Sequence, residues 1–105
     1  MATSKIHGNM DTGWITLSTE VKYRKVNGIV YVVFNSATNA LSPGGTSLGN
    51  LPTGYRPSLE QIDVGGGSKG GSQVVFFRVQ QSGYITGYAS SNTSYWSGLI
   101  SYPAD

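Results

Sequence analysis

The feature that most constrains this chain is Asn27-Gly28, set between Val21 to Val26 and Ile29 to Asn35, two runs rich in β-branched and aromatic residues. Asn-Gly is the dipeptide best suited to the two positive φ angles of a type I′ turn, whose twist matches that of the strands it joins. A two-residue turn fixes the register, so Val26 must pair with Ile29. Val21, Tyr23, Val30, Val32 and Phe34 then share one face, which reads as core. Lys22, Arg24, Tyr31 and Val33 share the other, with Ile29 beside them. That second face mixes apolar groups with charge, as expected either of a strand meeting a partner subunit or of a plain half-exposed strand.

A second hairpin follows the same logic. Val74 to Gln80 and Tyr84 to Ala89 flank Gln81-Ser82-Gly83, a three-residue loop with glycine where a left-handed residue is needed. Pairing Gln80 with Tyr84 puts Val75, Phe77, Val79 and Ile85 on one face. Phe76, Arg78, Gln80, Tyr84, Thr86 and Tyr88 occupy the other.

Between and around the hairpins the punctuation is that of turns. Met1 to Thr12 is polar and aperiodic, which suggests an arm without core, or the remnant of an upstream neck. Residues 13–105 form the domain, and from Trp14 the pattern becomes strand-like. Ser36 to Asn50 reads as a loop that enters a short strand near Ser47. In Leu51-Pro52-Thr53-Gly54-Tyr55-Arg56-Pro57 two prolines bracket a glycine and fix a bend, with Tyr55 placed to be pinned on the body. Leu59 to Val64 reads as a strand, and Gly65 to Gly71 as a flexible loop tip, because ordering glycine costs the most entropy. A polar spacer, Ser90 to Ser94, precedes a last segment from Tyr95 to Tyr102 in which Trp96, Leu99 and Ile100 supply apolar surface.

The 105 residues suit one domain, and seven Tyr and fifteen Gly with few helix formers favour strands and turns. The expected fold is all-β: a small antiparallel β-barrel or jelly-roll-like sandwich of about six to eight strands.

Chemistry is sparse. Of the carboxylates only Glu60 and Asp63 lie close in sequence, and an odd spacing in a strand sends them to opposite faces, which excludes the simplest glycosidase pair. His7, the only histidine, sits in the polar arm, where no scaffold holds a base in geometry. With no cysteine and no calcium-loop spacing among the acids, no metal or cofactor is expected. The glycine stretch lacks the Gly-Lys-Ser/Thr order of a phosphate cradle. The chain is therefore expected not to be an enzyme. A net charge of +2, with 11% charged residues, gives too weak a field to expect nucleic-acid binding. The lack of cysteine makes an intracellular birthplace the expectation. No apolar run is long enough for a membrane helix, and Met1 to Met10 lacks the apolar centre of a signal peptide.

What remains is a candidate binding face: Phe76, Arg78, Gln80, Thr86 and Tyr88, with Tyr95 and Trp96 beyond the spacer. Sugar rings stack on aromatics while planar groups such as Arg and Gln bond their hydroxyls. The other reading of the same residues is a cross-strand aromatic pair buried against a neighbouring subunit or a returning strand.

The order Gly13-Trp14-Ile15-Thr16-Leu17, Tyr23-Arg24-Lys25-Val26-Asn27-Gly28-Ile29-Val30-Tyr31-Val32, Leu51-Pro52-Thr53-Gly54-Tyr55-Arg56-Pro57-Ser58, Ser82-Gly83-Tyr84-Ile85 resembles the C-terminal head of receptor-binding proteins and tail-fibre tips of siphophages of Gram-positive bacteria, lactococcal ones included. The Leu-Pro-x-Gly-Tyr-Arg-Pro segment is its most specific part, and the closing Tyr102-Pro103-Ala104-Asp105 is similar too. The resemblance implies a homotrimer of β-barrel heads carried on an upstream neck or baseplate protein of the virion tail tip, made in the host cytoplasm. It also implies binding of host cell-wall saccharide near subunit boundaries, without membrane insertion. Some lactococcal heads bind sugar with a His and an Asp on the strand before the last hairpin and a Trp on its return. Here that region offers Phe76, Arg78 and Gly87, so those sites do not transfer and a different receptor is expected. Two other functions compete: a structural trimerisation cap of a tail fibre that binds no ligand, and a monomeric carbohydrate-binding module.

Overall fold

The structure, a computed structural model, describes residues 10–68 and 73–104. Among these it contains eight strands and no helix: β1 Ile15–Thr16, β2 Val21–Val26, β3 Ile29–Ser36, β4 Thr46–Asn50, β5 Gln61–Ser68, β6 Val74–Gln80, β7 Tyr84–Ala89 and β8 Trp96–Pro103. They form one antiparallel sheet in the order β1-β2-β3-β8-β5-β6-β7-β4, curled into a half-barrel. The chain is thus the small all-β, barrel-like fold its alternation predicts.

The first hairpin has the register its turn dictates, Val26 opposite Ile29 and Val21 opposite Phe34. Asn27 and Gly28 have φ of 49° and 86°, as a type I′ turn requires. Val21, Tyr23, Val30, Val32 and Phe34 are all buried. In the second hairpin Val79 pairs with Ile85, Gly83 has φ 92°, and Val75, Phe77, Val79 and Ile85 are buried.

Curl brings the two hairpins face to face. β8 and β5 separate β3 from β6 in the sheet, yet the Phe34 and Phe77 rings stack across the interior with centroids 4.2 Å apart and planes within 2°. The sheet bends this tightly because its middle carries no side chains beneath Phe77. A Cβ at Gly66 would stand 2.5 Å from the ring, and one at Gly98 closer still. At the rim, Leu17 beyond β1 lies against Gly49 of β4, so the two edge strands approach each other. Leu41, fully buried and bridged to Thr93, rests over Gly87.

The proline-bracketed bend packs where a pinned Tyr55 was expected. Its ring meets Tyr23 edge-on at 4.9 Å, and Tyr102 donates its hydroxyl hydrogen to the Tyr55 carbonyl at 2.6 Å. Leu51 is fully buried, and its backbone N–H bonds the Gly83 carbonyl at 2.8 Å. The bend and the second hairpin's turn are therefore built against each other.

One expectation fails. Gly65 to Ser68 is not a loop tip but the second half of β5, laddered to β6 and, at its end, to β8. Hydrogen bonding on both sides offsets the entropy that argued against ordering it. The rest of that glycine stretch, like His7 and residues 1–9, lies outside the described residues. The end of the polar arm runs along the first hairpin. Thr12 donates its N–H to the Lys25 carbonyl at 3.0 Å, and the Asn27 N–H bonds the Met10 carbonyl at 2.8 Å.

Candidate functional site

The face expected to bind sugar is only partly assembled. Register sets Phe76 opposite Tyr88 and Arg78 opposite Thr86, with Asp63 of β5 on the other side of Arg78. The Phe76 and Tyr88 rings stack at 4.6 Å and 11°. Arg78 grips Asp63 through Nε and Nη2 at 2.8 and 3.2 Å, and Nη1 points to the Tyr88 hydroxyl at 3.4 Å. Its guanidinium carbon stands 5.2 Å from the Tyr88 ring centroid and 5.8 Å from that of Phe76. The Tyr88 ring also lies against Gly45, where a Cβ would come within 2.7 Å of it. Each member of this cluster thus satisfies another, which is the packing alternative for these residues.

Of the other members, Thr86 lies within the cluster, across from Arg78, and the rest are elsewhere. Thr86 is buried, and Gln80 is half-buried further along β6, opposite Gln61. Tyr95 is exposed, but Trp96 is not a surface group at all. It is 0% exposed, tilted on Phe77 at 5.6 Å, and its indole N–H bonds the Asn39 carbonyl at 2.6 Å. Alternation explains the misplacement: Trp96, Ile100 and Tyr102 point inward from β8 and Leu99 outward, as period two requires.

A second surface, on the opposite half of the sheet, is more open. The outer side of β2, β3 and β8 holds a groove of about 370 Å³ lined by Trp14, Arg24, Val26, Tyr31, Val33 and Leu99. Arg24 pairs with Tyr31, and Val33 with Leu99. Trp14 and Leu99 are 50% and 52% exposed, high for large apolar side chains. Arg24 stands 5.7 Å from the Trp14 ring centroid, within cation–π range. Asp11 holds it there through Nε, at 2.9 Å, and Nη2, while the Gly13 N–H bonds the same carboxylate at 2.9 Å. The Arg24 hydrogen bond, helped by Gly13, lowers the Asp11 pKa to about 2.

The mixed character of this strand face was visible in the sequence. The parts of Asp11 and Trp14 were not, because one fell in a segment read as an arm and the other only opened a strand. The available signal was an acid placed to reach Arg24 across a hairpin edge.

Among the described residues the two neighbouring carboxylates, Glu60 and Asp63, do not converge on one site. Glu60 is exposed, and Asp63 is bound by Arg78. Among the described residues no three His, Cys, Asp or Glu cluster as metal ligands, and no helix is long and apolar enough to cross a membrane. No protein-family model and no curated protein matches the chain.

Proposed function

We propose that this chain is a phage receptor-binding head that recognises a saccharide of the host cell surface as a homotrimer, joined to an upstream neck or baseplate protein of the virion. The observation that carries the reading is the open groove beside Trp14: a half-exposed aromatic just before β1, next to the Arg24 guanidinium of β2, which Asp11 holds in place. Such a site pays little ordering entropy on binding. The resemblance of four ordered segments to siphophage heads supports the same reading. Weak capture at each site becomes tight when three copies engage one surface.

One observation favours a second reading, a structural cap of a tail fibre. The Phe76–Arg78–Asp63–Tyr88 cluster is internally satisfied, as a face shaped for packing would be.

Solution mass by light scattering, together with binding to a glycan array, tests the proposal. The expected result is three times the 11.1 kDa of the chain and capture of a defined subset of glycans. A trimer that binds no glycan would move the assignment to the cap. A glycan-binding monomer would make the domain an isolated carbohydrate-binding module.

A further inference from the structure

We infer that the saccharide site is the Trp14 groove on the outer face of β2, β3 and β8, not the aromatic face of the second hairpin, and that its occupant is a pyranose ring stacked on Trp14. The inference rests on the saccharide-binding reading above and gives it a place.

The groove has the chemistry of a sugar platform. Its floor is apolar, from Val26, Val33 and Leu99, and suits the C–H face of a pyranose. Its edge is polar and fixed. Asp11 takes the Nε and Nη2 hydrogens of Arg24, which leaves those on Nη1 for ring hydroxyls. Tyr31, the cross-strand partner of Arg24, brings a phenol to the same groove. A volume of about 370 Å³ lies at the small end of ligand pockets and accepts a sugar residue rather than a folded partner.

Charge argues against a two-fold contact between copies through this groove. Lys22 and Arg24 lie on this face against Asp11, and register sets Lys22 beside Val33 and Leu99. Two copies meeting face to face about a two-fold axis would bring those lysines together, an arrangement that interfaces avoid, whereas a trimer sets unlike faces together and is distinguished by the oligomeric state of Trp14→Ala. A neutral or acidic glycan meets no such repulsion. The second-hairpin face is the weaker candidate, since Phe76 and Tyr88 stack on each other and Arg78 is bound to Asp63.

The two tryptophans make the test direct. Trp96 is fully buried and Trp14 half-exposed, so acrylamide quenching reads Trp14. Glucose, galactose, rhamnose and N-acetylglucosamine are titrated first, then the best glycans of the array. A bound sugar is expected to shift the emission and to protect Trp14 from acrylamide several-fold. Trp14→Ala should weaken array binding at least tenfold, Trp14→Phe should restore part of it, and Arg24→Lys should weaken it several-fold. Phe76→Ala and the exposed control Leu59→Ser should leave it unchanged, with circular dichroism showing each variant folded.

Equal glycan binding by wild type and Trp14→Ala would overturn the site while leaving the function standing, most clearly if Phe76→Ala abolished binding. Absence of glycan binding by the wild type would overturn the function itself. If Trp14→Ala dissolved the oligomer to monomers, the groove would be a subunit contact and the inference would fail.

Discussion

Two tryptophans of one chain play opposite parts, and alternation along the strand decides which. Trp96 is enclosed by Phe77 and spends its indole hydrogen on a backbone carbonyl. Trp96→Phe loses that bond and leaves part of a cavity, so urea unfolding should show a loss of about 2 kcal/mol. Trp14→Phe, at a half-exposed position, should cost less than about 0.5 kcal/mol. A comparable loss at both positions would refute this division of roles. The sequence carried enough to place Trp96, because Trp96, Ile100 and Tyr102 are two or four residues apart and share a face. It did not carry the Asp11–Arg24 pair, which depends on how the arm returns along β2. That pair has an acid signature. Asp11 has a folded pKa of about 2 against the ordinary carboxylate value of 3.8. A depressed carboxylate stabilises the fold above the unfolded value and loses that effect as pH falls through the folded one. The Arg24–Trp14 arrangement should therefore be intact at about pH 4 and dissolve as pH drops towards 2, read by Trp14 emission. Asp11→Asn should remove the transition, and high salt should shrink it, since the pair is exposed. A wild-type midpoint near 4 would show that the pair does not form.

At the level of elements, both hairpins were legible to the residue because their turns are chemically specific and a two- or three-residue loop leaves one register. The glycines were not, because a sequence cannot say whether a glycine is there for freedom or for space. Gly65, Gly66 and Gly67 divide within one strand, although none has the positive φ that would call for freedom. Gly66 faces inward under Phe77, whereas a Cβ at Gly65 or Gly67 would meet nothing within 4 Å. Gly66→Ala and Gly98→Ala should each destabilise the fold by about 2 kcal/mol, since the Phe77 ring can move only by disturbing its stack on Phe34 and, at Gly66, the Ser97 carbonyl lies as close to the added Cβ as the ring does. Gly65→Ala should be neutral, or stabilising by about 0.5 kcal/mol through the unfolded chain. Chemical denaturation of the three variants separates the cases. Equal losses at 65 and 66 would mean that the strand is sensitive to backbone stiffness and not to ring clearance. The bend from Leu51 to Pro57 belongs to the legible part as well. Its fixed prolines announced a docking element, and Tyr55 docks through Tyr23 and Tyr102.

For the molecule as a whole, the open question is whether a sheet in which two hairpins occupy opposite halves behaves as one cooperative unit. Among the described residues β8 and β5 pair at Gly67–Ser97 and Ser68–Trp96, a seam with few ladder bonds. The interior closes it instead, with Phe34 of one half stacked on Phe77 of the other and Trp96 beside them. If that stack carries the cooperativity, a double-mutant cycle of Phe34→Leu and Phe77→Leu should give a coupling of about 1 kcal/mol, typical of paired aromatics beyond their buried area. Urea unfolding of the wild type, followed in parallel by tryptophan emission and circular dichroism, should give coincident single transitions. In the double variant, whose seam keeps only its ladder bonds, the two transitions should begin to separate. The direction of separation follows from position: Trp96 sits in the seam, so its emission should change at lower urea than the backbone signal of the hairpins. Coincident transitions in the double variant, with no coupling, would mean that the ladder and the Leu17–Gly49 approach at the rim already join the halves.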